Sequence, residues 1–299
     1  MKQTLLVMAL CLALFSACNK ADDSSMIDLR IDYSVNDGPL VCDTLRYVNE
    51  AGNRFMITEV QWFISRLELQ NEKGDWITFG EGDNIYYLDT DLPTTHLLHS
   101  KALPAGNYQA LRFTFGLDEE DNRTGRFPNP PESNMFWPDL LGGGYHYMKL
   151  NCKWLDGDGN LAPVNIHLGV GQNESFTEFY PNHFSVSLPI DLDLHADQQA
   201  EIQLTMVIDN WFRNPNVYDF NTDGTAIMQN QVAQTKLREN GTDVFIINAT
   251  EEMKPLNEDM KPLSDISKQI MKMAAPKPHF MTWENLKNTF SNLNTKDRS

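Results

Sequence analysis

The chain has 299 residues, of which 41% are hydrophobic and 22% are charged, as in a soluble globular protein with a sizeable core. Its 41 acidic residues outnumber its 24 basic residues, which gives a net charge of −17. This charge repels phosphate backbones, so the composition excludes a basic nucleic-acid-binding protein, and we expect no nucleic-acid partner. A multi-span membrane protein and a disulfide-dense miniprotein are excluded as well.

The amino terminus has the pattern of a targeting signal. Lys2 precedes an apolar run over residues 5–15, which is too short to span a bilayer and predicts a signal peptide over 1–17. The segment Leu14-Phe15-Ser16-Ala17-Cys18 resembles a bacterial lipobox, in which Cys18 becomes the lipidated first residue of the mature protein. The alternative is a plain secretory signal that is cut near Ala17.

Residues 18–25 form a polar, acidic tether after the predicted lipidation site. This tether is similar to the lysine-plus-acidic signals that send some Gram-negative lipoproteins to the outer-membrane surface. A lipid chain with a flexible linker holds a folded body beside a membrane without inserting it. We therefore expect a protein that is lipid-anchored in the bacterial outer membrane and faces the periplasm or the cell surface.

Two cysteines, Cys42 and Cys152, remain in the predicted folded body. In an oxidising envelope they can form a disulfide, which would stabilise the fold by about 4–5 kcal/mol in the entropic account. They can equally be two buried, small apolar side chains. Because no CxxC spacing is present, the sequence gives no case for a structural zinc site.

Residues 26–249 show the pattern of many short strands that are separated by turn residues. The segment 58–69 is rich in β-branched and aromatic residues, and a one-residue slip between Ile64 and Leu67 predicts a β-bulge. Hairpin turns are expected at 71–75 and 156–160. Strands at this spacing without intervening helices predict an all-β fold, an antiparallel β-sandwich. Further predicted strands cover residues 27–33, 84–88, 108–115, 145–154, 164–168, 183–188 and 202–208, and the predicted core of 58–69 is Val60, Trp62, Ile64, Leu67 and Leu69.

A long connection over residues 118–144 carries four prolines and four glycines. A loop of this length is usually functional or disordered, but Met135, Phe136 and Trp137 indicate that it folds back onto the body. After it, a helical pattern covers 221–239.

The carboxyl-terminal part of the chain is predicted to lie outside the sandwich. A final short strand is predicted at 244–247. Residues 250–299 form a predicted extension, partly helical or disordered, with weak helical patterns at 263–273 and 283–293.

Two histidines are the best candidates for a metal site. Imidazole nitrogen suits copper, and thioether sulfur favours the cuprous state. Period-2 geometry would put His146 and Met148 on one face of a strand. Since cross-strand neighbours lie about 5 Å apart, His167 on the next strand can complete a site with His146. The alternative is that each histidine is a hydrogen-bonded structural residue.

A second motif resembles the first half of a calcium loop. Asp219, Asn221 and Asp223 supply oxygen donors at alternate positions, before a turn glycine. The twelfth position is Asn230, where a bidentate glutamate is expected. The alternative is a helix start that is capped by Asp223 or Thr225.

No nucleophile elbow, HExxH motif, phosphate-binding loop or dinucleotide fingerprint is present in the sequence. We therefore expect a protein that is not an enzyme.

Several short motifs follow one another along the chain in an order that is similar to the MbnP-like copper-binding family, over residues 27–247. The resemblance implies a β-sandwich that binds copper without turnover, with a role in copper acquisition or handling. The motifs are Val60-Gln61-Trp62-Phe63-Ile64-Ser65, Ala105-Gly106-Asn107-Tyr108, Phe115-Gly116-Leu117-Asp118, Asn134-Met135-Phe136-Trp137-Pro138, Gly142-Gly143-Gly144-Tyr145-His146-Tyr147-Met148-Lys149-Leu150 and Ile166-His167-Leu168-Gly169.

Some members of that family use histidines together with a tryptophan that a partner dihaem protein oxidises to kynurenine. The resemblance therefore makes Trp137 and Trp62 candidates for that residue, beside His146 and His167 as ligands and Met148 or Met135 as lining residues. The competing hypothesis is a metal-free surface lipoprotein whose loop aromatics, Phe136, Trp137 and Tyr145, bind a glycan or protein ligand.

Overall fold

A computed structural model describes residues 24–255 of the chain, and most of their regular structure is β-strand. The predicted signal peptide, Cys18 and the helical patterns at 263–273 and 283–293 lie outside the described residues. None of the helices within residues 24–255 is long and apolar enough to cross a membrane. The strands are β1 (Ser24–Val35), β2 (Gly38–Pro39), β3 (Tyr47–Val48), β4 (Arg54–Asn71), β5 (Trp76–Thr78), β6 (Ile85–Asp89), β7 (Leu97–His99), β8 (Leu103–Pro104), β9 (Gly106–Phe115), β10 (Met148–Leu155), β11 (Leu161–Leu168), β12 (Gly171–Gln172), β13 (Phe179–Tyr180), β14 (Phe184–Leu194), β15 (Gln198–Val207) and β16 (Phe245–Pro255).

Two sheets form the sandwich. The first has the strand order β16-β15-β1-β2, with β7 and β8 also paired to β1. The second has the order β11-β10-β4-β9-β14, with β3, β5 and β6 also paired to β4. The predicted all-β sandwich is therefore confirmed. One pairing departs from a purely antiparallel arrangement, because β1 and β15 run parallel.

Strand β4 is the centre of the second sheet, and its sequence pattern explains its position. The five residues predicted as core are completely buried, and the predicted bulge is present as a register shift between Ser65 and Glu68. Arg66, inside this bulge, has a φ of +51°. The bulge turns Leu67 and Leu69 back into the core after the alternation has slipped by one residue.

Aromatic rings fill much of the space between the sheets. Trp62 stacks on Phe115 with ring centroids 5.9 Å apart and lies 5.4 Å from Phe245 of the first sheet. Its indole Nε1 donates a hydrogen bond to the Tyr33 hydroxyl over 3.0 Å. Both polar atoms of this buried pair therefore have a partner, so the contact joins the sheets without an unsatisfied group.

The helix and the last strand differ from the sequence prediction. The helix α1 covers Gln231–Asn240, whereas the pattern predicted it over 221–239. Asn230 caps it, since its side-chain oxygen accepts a hydrogen bond from Ala233 N. Strand β16 continues past the predicted domain end at residue 249 and pairs Pro255 with Gln198.

Cys42 and Cys152 are both free cysteines in the structure, so of the two alternatives the disulfide is not formed. Cys152 lies opposite Ile57 in the β4–β10 ladder. Asp43, next to Cys42, donates its N–H to the Ile57 carbonyl over 2.9 Å, on the β3 edge of strand β4. The two cysteines therefore flank the same strand from opposite edges.

Candidate metal centre

The long connection before β10 folds back onto the body, as its apolar residues indicate. Two short 3-10 turns, Glu132–Met135 and Asp139–Leu141, give it local structure. Met135 and Trp137 are completely buried. Trp137 N–H bonds the Gly144 carbonyl over 2.9 Å, and its indole Nε1 donates to the Leu141 carbonyl over 2.8 Å. Hydrogen bonds therefore hold both the backbone and the side chain of Trp137 within the loop.

Glycines allow the close backbone approach that this arrangement needs. Gly144 has a φ of +79°, and a Cβ there would lie 2.3 Å from the Asn122 side-chain oxygen. A Cβ on Gly169 would lie 2.5 Å from the Trp137 ring. The segment before His146 and the floor beneath Trp137 therefore both depend on the absence of a side chain.

The Met135 carbonyl accepts two hydrogen bonds from His146. Its backbone N–H and its Nδ1 both bond the Met135 oxygen, over 2.6 and 2.9 Å. Because a carbonyl only accepts, Nδ1 carries the proton and Nε2 keeps its lone pair. Nε2 is buried and has no hydrogen-bond partner among the described residues. Burial lowers the pKa of His146 to about 3, so the imidazole is neutral at pH 7.

His167 is oriented by an amide and a carboxylate. Asn151 Nδ2 donates to Glu59 Oε2 over 2.9 Å, and a carboxylate only accepts, so the amide oxygen faces His167. His167 Nε2 lies 2.8 Å from that oxygen and must donate to it. The lone pair is therefore on Nδ1. Burial, followed by the nearby Lys149 charge, lowers the pKa of His167 to about 4.

The structure brings these two imidazoles together. Their ring centroids are 5.1 Å apart and nearly perpendicular. Two rings that share one metal at about 2 Å from each nitrogen have centroids roughly 4.5–6 Å apart, so this separation fits shared coordination. The Trp137 ring lies 4.8 Å from His146, also edge to face. We call His146, His167 and Trp137 the imidazole site.

Met148 does not belong to the imidazole site, contrary to the prediction. Strand β10 begins at Met148, so the period of two does not extend back to His146. Met148 lies opposite Leu168 and is completely buried, whereas the half-buried His167 lies opposite Lys149 on the other face of the sheet. The thioether and the imidazole of His167 are therefore separated by the sheet.

Of the two tryptophan candidates, only Trp137 lies beside an imidazole. Trp62 pairs with Met148 across the ladder and points into the core between the sheets.

The aromatic platform of the competing glycan hypothesis is not formed, because two of its three rings are not accessible to a ligand. Trp137 and Tyr145 are buried, and only Phe136 is exposed, by 45%.

The donor set at this site consists of two imidazoles. Across residues 24–255, no three or more His, Cys, Asp or Glu side chains are grouped so that they could hold a metal ion. The remaining described histidines have other neighbours. His96 bonds the Asp89 carbonyl, His99 bonds Asp28, His183 lies 3.4 Å from Glu119, and His195 lies 3.8 Å from Asp193.

In the loop proposed as a possible calcium site, several carboxylate oxygens already have partners. Asp219 Oδ1 accepts hydrogen bonds from Asn53 Nδ2 and from the Asn221 backbone and side-chain nitrogens, over 2.9–3.0 Å. Asp223 pairs one carboxylate oxygen with the Lys236 ammonium and accepts the Asp219 N–H with the other. N–H groups and the Lys236 ammonium thus engage Asp219 Oδ1 and both carboxylate oxygens of Asp223, and a calcium site at this loop stays a prediction.

Sequence reasoning missed the residues that orient His167. Glu59 and Asn151 lie directly opposite each other in the β4–β10 ladder. Burial raises the pKa of Glu59, and burial lowers the pKa of Lys149. Polar side chains at every second position of β10, Lys149 and Asn151, were the only signal for this polar face.

The fold and the imidazole site together define a β-sandwich with a neutral two-histidine site beside a buried tryptophan. The model of the MbnP family matches residues 24–231, and the chain belongs to this family. The chain is also similar to the solved structure of MbnP from Methylosinus trichosporium, at 15% identity and a TM-score of 0.49, over 76% of this chain and 99% of that one. A search of curated proteins finds no match.

Proposed function

We propose that this protein binds copper at the imidazole site and acts in copper acquisition or handling without catalytic turnover. His146 Nε2 and His167 Nδ1 would be the ligand atoms. The observation that carries the proposal is the buried His146 Nε2, which has a lone pair and no hydrogen-bond partner among the described residues. A buried acceptor without a partner costs stability, so its presence is explained if it binds a cation.

The chemistry of the two nitrogens supports a transition metal. Neutral imidazole is a ligand that copper prefers, and both histidines stay neutral well below pH 7 because their pKa values are low. The hydrogen bonds to the Met135 carbonyl and to Asn151 fix the two ring orientations, as outer partners of metal-bound histidines usually do. Family membership supports the same assignment, since the resemblance implied copper.

We further propose that Cys18 carries the lipid that anchors the protein in the outer membrane, with the body on the periplasmic or outer side. Trp137, which lies beside His146, is the tryptophan that a dihaem redox partner would oxidise. The lipobox-like segment supports the first proposal, and the family resemblance together with the position of Trp137 beside His146 supports the second. A mass spectrum of the protein isolated from a bacterial envelope would test both.

Copper titration of the mature chain, with Cys18→Ser to prevent lipidation, tests the metal proposal. We expect about one equivalent bound, and we expect the pair His146→Ala and His167→Ala to weaken binding at least about a hundredfold, since two ligand bonds are lost. The matched control is the pair His99→Ala and His195→Ala, which removes two exposed imidazoles and should leave binding unchanged. Equal affinity in the two double variants would refute the site.

A further inference from the structure

A polar cleft of about 990 Å³ lies on the solvent side of the second sheet, and neither imidazole of the metal site lines it. Its floor is formed by β4, β9 and β14, where Arg112 and Thr114 face outward between buried neighbours. Residues 120–126 and 82–84 form its walls. Four arginines line this cleft, namely Arg66, Arg112, Arg123 and Arg126. We call it the arginine cleft.

This concentration of arginine is unexpected in so acidic a body. Residues 18–249 contain 15 basic and 34 acidic residues, a difference of −19. The carboxylates around the cleft are already engaged in ion pairs. Arg66 pairs with Asp118, Glu120 and Asp121, Arg126 pairs with Asp83 and Asp121, and Arg112 pairs with Glu68. The acceptors that the protein supplies here are thus used by its own arginines.

Guanidinium N–H groups remain without partners. Arg112 is fixed by Glu68, over 2.6 Å at Nε, and by the face of Trp76, 3.9 Å below the guanidinium. Neither Nη group of Arg112 makes a hydrogen bond within residues 24–255. The Arg123 side chain has no ion pair or hydrogen bond there, and Arg126 Nε is buried without a partner.

Hydroxyl groups without hydrogen-bond partners also line the arginine cleft. Thr78, Thr114 and Ser185 line the cleft, and their hydroxyls make no hydrogen bond in the described part of the chain. Thr114 and Ser185 are direct cross-strand neighbours, so their side chains lie together on the floor. The cleft therefore offers donors on a rigid guanidinium and hydroxyls nearby, and it lacks free carboxylates.

We propose that the arginine cleft binds a carbohydrate that carries a carboxylate, of the uronic acid class. A carboxylate accepts two parallel N–H bonds from one guanidinium, and the pinned Arg112 presents its two Nη groups for that purpose. Ring hydroxyls of a sugar both donate and accept, which matches the threonine and serine hydroxyls. The cleft volume is that of a typical small-ligand site.

Calorimetric titration of the full mature chain with D-glucuronate, against D-glucose as the matched neutral probe, tests this proposal. We expect glucuronate to bind at least about tenfold more tightly than glucose, because only glucuronate carries the acceptor for Arg112. Arg112→Gln and Arg123→Gln should each weaken glucuronate binding about tenfold or more. Arg112→Lys should also weaken it, since lysine keeps the charge and loses the paired N–H groups.

Arg54→Gln, an exposed arginine outside the cleft, serves as the control and should not change glucuronate binding. Copper binding should be the same in all these variants, because the cleft and the imidazole site share no residue. The proposal is wrong if glucose binds as tightly as glucuronate, or if Arg112→Gln binds glucuronate normally. It is also wrong if inorganic phosphate binds with the same dependence on Arg112 while glucuronate does not.

Discussion

The metal-free protein should lose about 3 kcal/mol of unfolding free energy between pH 7 and pH 4 through His146 alone. The folded-state pKa of His146 is lowered to about 3, against 6.5 in an unfolded chain. Between these values the unfolded state binds the proton and the folded state does not. Stability from this group is therefore fully present above pH 6.5 and is lost as the pH falls towards 3.

His146→Leu separates this contribution from other acid effects. Leucine is apolar and similar in size, and the Met135 carbonyl keeps its bond from the residue 146 backbone N–H. The variant therefore removes the unpartnered Nε2 and creates no new unsatisfied group. At pH 7 the variant should be at least as stable as the wild type. At pH 4 its advantage in unfolding free energy over the wild type should be about 3 kcal/mol larger than at pH 7.

Chemical denaturation across pH 4–7 measures both proteins. Parallel curves for the wild type and His146→Leu would show that the imidazole is protonated in the folded state, and would contradict the buried, neutral assignment.

Gly169→Ala should destabilise the fold by about 1–3 kcal/mol and disturb the imidazole site. A Cβ at this position would lie 2.5 Å from the Trp137 ring, which is completely buried and cannot move outward without breaking its bond to Leu141. A shifted Trp137 would displace the ring that packs against His146. We expect copper affinity to fall together with stability.

Gly157→Ala is the matched control, because a Cβ there meets nothing within 4 Å. It lies in the hairpin turn between β10 and β11, and we expect no more than about 0.5 kcal/mol of change. Thermal unfolding and tryptophan fluorescence measure the two variants side by side. Equal melting temperatures would mean that Trp137 does not pack against residue 169.

Local patterns predicted the parts of the fold that depend on one strand. The slip between Ile64 and Leu67 gave the bulge in β4, and the turn residues at 156–160 gave the hairpin that joins β10 to β11. The parallel pairing of β1 with β15 was not predictable, because alternation along a strand does not encode the direction of its neighbour. The helix was placed too early because the turn residues before Asn230 resemble helix-compatible polar sequence.

The imidazole site was predictable in part. The sequence predicted that His146 and His167 lie close together, and their ring centroids are 5.1 Å apart, but Met148 was assigned to their face by alternation. That step failed because the chain before β10 is irregular, with positive φ at each residue of 142–144. The Asn151–Glu59 contact depends on the β4–β10 register, which a single sequence does not give.

X-ray absorption of the copper-loaded mature chain tests the central claim most directly, because it counts imidazole ligands in either oxidation state. The wild type should show two imidazoles on the copper. His146→Leu and His167→Leu, at copper concentrations that still load the site, should each show one fewer. A wild-type spectrum without imidazole scattering, or one that either substitution leaves unchanged, would contradict copper coordination by His146 and His167.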